Sequence, residues 1–200
     1  MCIRDSANIE HAQAARGDVT RGIDPIVESI AASAKHYLNN NGLRAWLTTE
    51  RCNYSAEFLL HALLEQWSTE AAKPSVLFLD EIDALVGDTL ISVLRQIRAG
   101  YAQRPEGFPI SIVLCGVRDV RDYRMKSQHQ EVITGGSAFN IKAVSLRLGN
   151  FNEAEVRALW AQHTTATGQI FAEAIYPELW ADTQGPVSYT HLTLPTTPYV

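Results

Sequence analysis

Apolar and polar positions alternate along this chain with two different periods. Over residues 24–38, Ile26, Val27, Ile30, Ala34 and Leu38 recur at helical spacing behind a cap-like Asp24 and a Pro25 suited to a first helical turn. The Asn39-Asn40-Asn41-Gly42 cluster ends that helix. A second helix is expected over Ser55–Trp67, with Phe58, Leu59, Ala62, Leu63 and Trp67 on one face. Val76–Leu79 is apolar without alternation, the pattern of a strand buried on both faces as in a parallel sheet. A helix over Thr89–Gln103 follows, striped by Leu90, Val93, Leu94, Ile97 and Tyr101. A second buried strand is expected at Ile110–Val117 and a third at Ala143–Leu148. Residues 118–142 are polar and fit no period. Asn152 then opens a helix with Glu155 placed to close a capping box and Phe151 placed to staple onto Val156. Leu159, Trp160 and His163 continue its face, and a last helix is expected over Phe171–Asp182. Strands alternating with helices in this order predict an α/β fold with a parallel sheet and helices on both faces.

The two ends obey neither period. Met1-Cys2-Ile3-Arg4-Asp5 can be encoded as ATG TGT ATA AGA GAC, whose reverse complement translates as Val-Ser-Tyr-Thr-His, the residues Val187–His191. Such an inverted repeat is what a transposon-type sequencing adapter leaves when translated. Residues 1–6 and 187–200 are therefore set aside from the fold, and residues 7–186 are expected to be an internal piece of a longer protein.

Composition narrows the picture modestly. Hydrophobic residues at 46% and charged residues at 20% suit a globular domain with a real core. A net charge of −5 gives no support to a nucleic-acid-coating surface. No apolar run is long enough to span a bilayer. Cys52 and Cys115 lack metal-ligand spacing and suit a reducing, cytoplasmic setting. None of the six histidines forms an H-x-x-x-H pair, so each is read as an ordinary surface or core residue. Leu90, Val93, Leu94 and Ile97, and the four tryptophans Trp46, Trp67, Trp160 and Trp180, are read as packing residues.

The chemistry concentrates where the first strand stops. Asp80, Glu81 and Asp83 follow Val76–Leu79, and in open α/β sheets ligands bind beyond the carboxyl ends of the strands. One carboxylate there can hold a hydrated Mg²⁺, and the next can orient and deprotonate a water. The plain alternative is that the two acids merely favour the start of a helix. The second strand runs into Cys115-Gly116-Val117-Arg118. Gly116 permits close backbone approach, and Arg118 can meet a phosphate through charge-assisted bonds. Arg121 and Arg124, with Asp119 and Asp122, read better as a solvated loop.

The blocks SVLFLDEIDALVGDTLISVLRQIRAGY, SIVLCGVRDVRDYR and GGSAFNIKAVSLRLGNFNEAEVRALWAQHT, with NIEHAQAARGDV near the start, together resemble bacterial AAA-like ATP-binding proteins of the AAA+/STAND group. That resemblance implies an incomplete P-loop NTPase-type sheet over residues 7–149, followed by the start of a helical lid over residues 150–186. It implies ATP and Mg²⁺ as cofactors, Asp80 as the Mg²⁺ residue, Glu81 as the water-activating residue and Arg118 at the sensor position, so that Asp80, Glu81 and Arg118 face the nucleotide. An effector domain or partner follows from the resemblance without being identified.

One departure matters. None of Lys35, Lys73, Lys126 and Lys142 follows a glycine, so the Gly-x-x-x-x-Gly-Lys-Ser/Thr phosphate loop is absent from these residues. The expectation is that it lies upstream of Ala7, on a strand that would sit between Ile110–Val117 and Ala143–Leu148. Without it the chain is expected to be poorly stable, or to pair those two strands directly, and to bind ATP weakly. The competing reading is a non-catalytic regulatory or scaffold module, in one variant DNA-associated, that keeps a relic of the fold.

Overall fold

The computed structural model describes residues 6–15, 17–117, 144, 146 and 149–183, together with the backbone of Met125–Lys126 and Val132–Ile133. It divides into two compact units, Cys2–Ser145 and Leu146–Val200.

In the larger unit a three-stranded parallel sheet is built from β1 (Ala7–Asn8), β2 (Val76–Asp80) and β3 (Ser111–Leu114), in that order across the sheet. Ala7 lies beside Leu79 and Asn8 beside Asp80; Val76 to Leu79 pair with Ser111 to Leu114 in register. The coarse α/β reading therefore holds, with β2 as the middle strand. β1 carries too short a pattern to be read from sequence. Ser6, within the stretch set aside as adapter, is buried, and its carbonyl accepts from Ser33.

β2 is not buried on both faces as its unbroken apolar run suggests. Leu77 and Leu79 are buried, whereas Val76 is 46% and Phe78 40% exposed, as is Val113 beside Phe78 at 37%. That alternation with period two is the signature of a one-sided sheet. Among the described residues helices cover only the Leu77/Leu79 face, so the expected second helical layer is not found there.

The covering layer is α1 (Val19–Leu38), α3 (Ala56–Glu70) and α4 (Gly87–Ala99), with α2 (Gly42–Glu50) against α1. Ile23, Ile26, Leu60, Leu63, Leu64, Leu90, Val93 and Leu94 are completely buried in one cluster with Leu79 and Phe108. Leu90, Val93, Leu94 and Ile97 are thus core, as read; Tyr101, 67% exposed, leaves the stripe because α4 gives way to a tighter 3₁₀ turn over Gly100–Gln103.

α1 starts six residues before the expected Asp24. Asp18 is its cap, its carboxylate accepting from Arg21 N–H at 3.1 Å, and Pro25 lies inside the helix. The added turn is held from outside, because Gly22 and Ile23 are buried and Gly22 packs directly on Thr89 of α4. Asp24 instead pairs with Arg51, which also approaches Glu28 at 3.6 Å. α2 was not foreseen, since only Leu43 and Leu47 mark its buried face.

β4 (Met125–Lys126) and β5 (Val132–Ile133) form a short antiparallel pair inside the stretch that fits no period. The expected strand at Ala143–Leu148 falls almost wholly outside the described residues.

The smaller unit holds α5 (Glu153–Thr167) and α6 (Ile175–Thr183). The capping box forms as expected: Glu155 N–H donates to Asn152 Oδ1 at 3.0 Å, and Asn152 N–H donates to Glu155 Oε2 at 2.8 Å. Val156, Trp160, Tyr176 and Leu179 make its core, with Phe151, Phe171 and Trp180 packed on it. α6 begins four residues after the expected Phe171, which instead sets its ring edge-on to Trp160 at 4.3 Å. Among the described residues no helix is long and apolar enough to cross a membrane.

Candidate functional site

The carboxyl ends of the three parallel strands bring Asn8, Asp80 and Cys115 side by side. Asn8 is the register partner of Asp80, and Ile9 N–H donates to Asp80 O at 3.2 Å. Cys115 N–H donates to Leu79 O at 2.8 Å, and Cys115 O accepts from Ile82 N–H at 3.0 Å. In an even parallel ladder those two bonds would be separated by one residue of β2. Here they are separated by two, Asp80 and Glu81, so the strand end carries a bulge.

Glu81 takes up the extra length. It is in the left-handed region, φ 62° and ψ 40°, where a residue with a Cβ is strained by about 1–2 kcal/mol. Bulges re-aim side chains beside sites. This one leaves Glu81 exposed while Asp80 remains half-buried. Asp80 Oδ1 accepts the Glu81 N–H at 3.1 Å, which tethers the two acids to each other.

Beyond the bulge the two chains stay locked together. Val117 N–H donates to Asp83 Oδ2. Gly116 lies so close that a Cβ on it would overlap the Asp83 carboxylate and come within 2.7 Å of Ile82 Cγ2. The close backbone approach read for Gly116 from sequence is therefore made, against Ile82 and Asp83. Arg118, the third expected site residue, lies outside the described residues.

Cys115 has its thiol pushed above the ordinary range, first by burial and second by the negative charge of Asp80. It is held as the neutral thiol, the unreactive form. Asn8 was not singled out as a site residue; its Oδ1 accepts from Glu10 N–H at 2.9 Å, and its place opposite Asp80 is visible only once β1 is paired.

Among the described residues no group of three or more His, Cys, Asp or Glu side chains is placed to hold a metal ion. Mg²⁺ does not need one, since it keeps its waters and takes one or two carboxylates together with substrate phosphates. Asp80, half-buried at a strand end with one oxygen engaged by a backbone N–H, fits that sparse donor set. A concavity of about 520 Å³ beside Phe58, His61, Ser92, Arg95 and Gln96 belongs to the helical layer and not to the strand ends. No family model, no curated protein and no solved structure matches this chain.

Proposed function

We propose that the chain is the Walker B and sensor part of an AAA+-like domain that hydrolyses ATP to ADP and phosphate with Mg²⁺, in a switch or motor role. The observation that carries this reading is the Asp80–Glu81 pair at the carboxyl end of the middle strand of a parallel sheet, where α/β sheets take their ligands. The split in environment supports two roles for two carboxylates. Half-buried Asp80 is the residue that would hold Mg²⁺, which when bound neutralises charge on the phosphates. Exposed Glu81, lifted out by the bulge, is the base that orients a water and accepts its proton. Arg118, directly after the stretch locked to Asp83, would supply positive charge toward the terminal phosphate. Hydrolysis by this pair also requires a phosphate loop to hold the nucleotide against it.

The non-catalytic alternative draws on one specific fact: these 200 residues contain no Gly-x-x-x-x-Gly-Lys-Ser/Thr. Glu81→Gln in the intact protein separates the two. On the ATPase reading turnover falls about 10²–10⁴-fold, the usual worth of a general base, while ATP binding persists. Equal turnover in wild type and variant would exclude Glu81 as the base.

A further inference from the structure

We propose that Asp83 is a positioning residue: its carboxylate holds the Val117 amide and so fixes the start of the Arg118 segment relative to Asp80 and Glu81. This rests on the ATPase reading for its catalytic consequence, but the latch itself stands on contacts between β2 and β3.

After Asp80 the ladder between these strands is interrupted by the Glu81 bulge, which by itself would free the two ends to diverge. They do not diverge. Ile82 N–H returns to Cys115 O at 3.0 Å, and Val117 N–H is taken by Asp83 Oδ2. The second bond joins a side chain to a backbone amide, because β2 has already turned into the 3₁₀ segment Ile82–Ala84 and offers no carbonyl in line. A carboxylate acceptor makes this a charge-assisted bond, stronger than the carbonyl bond it replaces. Gly116 is what allows the approach, since any Cβ there would strike Asp83 and Ile82.

The Val117 side chain is 91% exposed, so side-chain packing contributes almost nothing to holding this segment in place. The hydrogen bond that the Val117 N–H donates to Asp83 does. Arg118 is the next residue in the chain, so the latch ends one peptide short of the proposed sensor. Of the three acids near the strand end, Asp80 and Glu81 are the two proposed to act on the nucleotide, and Asp83 holds the amide of the residue before Arg118.

The test has two parts. In the 200-residue chain, the Val117 amide proton is followed by NMR through the acid range in which carboxylates ionise. A bond to Asp83 moves that resonance downfield as the carboxylate forms. Asp83→Asn, a neutral acceptor of the same shape, removes the pH response without unfolding the chain, and Asp83→Ala also raises the exchange rate of the amide. A Val117 resonance that ignores pH, or that responds equally in Asp83→Asn, overturns the latch.

In the intact protein, Asp83→Ala is expected to lower kcat about 10–100-fold, the range for misplacing a catalytic group by about an ångström. KM for ATP is expected to stay within about threefold, because uniform binding is untouched. Asp83→Asn retains most of the activity. A kcat per folded molecule equal to wild type overturns the positioning role while leaving the ATPase reading intact. Absence of turnover in wild type, or an unchanged Glu81→Gln, overturns the reading itself and with it the catalytic consequence.

Discussion

Replacing Gln96 by alanine removes the pin between α3 and α4. Gln96 is 4% exposed. Its Oε1 accepts from His61 N–H at 3.1 Å, and its Nε2 donates to Ala56 O at 3.0 Å and to Ser92 Oγ at 3.1 Å. Three of the four hydrogen-bonding positions of the amide are used, all inside the helical layer. Each abandoned partner has a fallback. The His61 N–H and the Ala56 carbonyl lie within α3, where i−4 and i+4 partners exist, and the Ser92 hydroxyl can turn to the carbonyl one turn back. The loss per bond is therefore at the low end, about 0.5 kcal/mol each. The buried methylene that alanine lacks contributes about 0.8 kcal/mol. Together these give a destabilisation of about 2–3 kcal/mol. Gln96→Met keeps the volume and loses only the bonds, so it is expected to cost about 1.5 kcal/mol. Urea unfolding followed by tryptophan fluorescence reads both, since Trp67 is buried on the neighbouring α3. The slope with urea is expected to stay constant while the midpoint falls. Gln96→Ala within about 0.5 kcal/mol of wild type would place Gln96 with surface residues and refute the pin.

Three further outcomes follow from the sheet and its edge. Glu81→Gly is expected to stabilise the chain by about 0.5–1 kcal/mol by relieving the left-handed backbone, with part of the gain lost to the freer unfolded chain, as read by the urea midpoint. Leu79→Ala, at a completely buried site, is expected to cost about 2–5 kcal/mol, and Phe78→Ala on the open face about 1 kcal/mol or less; equal costs would mean that both faces are covered. Cys115 keeps its proton more tightly folded than unfolded, so its contribution to stability is complete below about pH 8.5, the ordinary thiol range, and is lost as pH rises through the raised folded value. Cys115→Ala should flatten that alkaline loss, and mass-resolved alkylation at pH 8 should modify exposed Cys52 before Cys115.

What the sequence discloses follows its local signals. The capping box at Asn152 and Glu155 involves residues three apart, and it forms as read. The middle strand and its acidic end were legible because Val76–Leu79 stops abruptly at Asp80. The start of α1 was not, because Asp24 followed by Pro25 reads as a helix start, whereas Asp18 is the cap and Pro25 lies inside the helix. The earlier start is held by burial of Gly22 against Thr89, 67 residues away in the chain. Two-sided burial of β2 was misread since an apolar run does not say whether a second layer exists to cover it. The bulge at Glu81 left no trace, because the left-handed position is held by a glutamate where glycine or asparagine would have signalled it. Gly116 was the exception at the site, read as a place of close approach and found against Ile82 and Asp83.

For Asp80 and Glu81 to serve a bound nucleotide, the protein must also carry a phosphate loop. The most direct measurement is to sequence the source DNA upstream of the codon for Ala7. The expected result is a Gly-x-x-x-x-Gly-Lys-Ser/Thr motif within a few tens of codons, on a strand followed by a helix. A natural start of the gene close to Ala7 with no such loop would contradict it and leave the acidic strand end as a relic in a binding module.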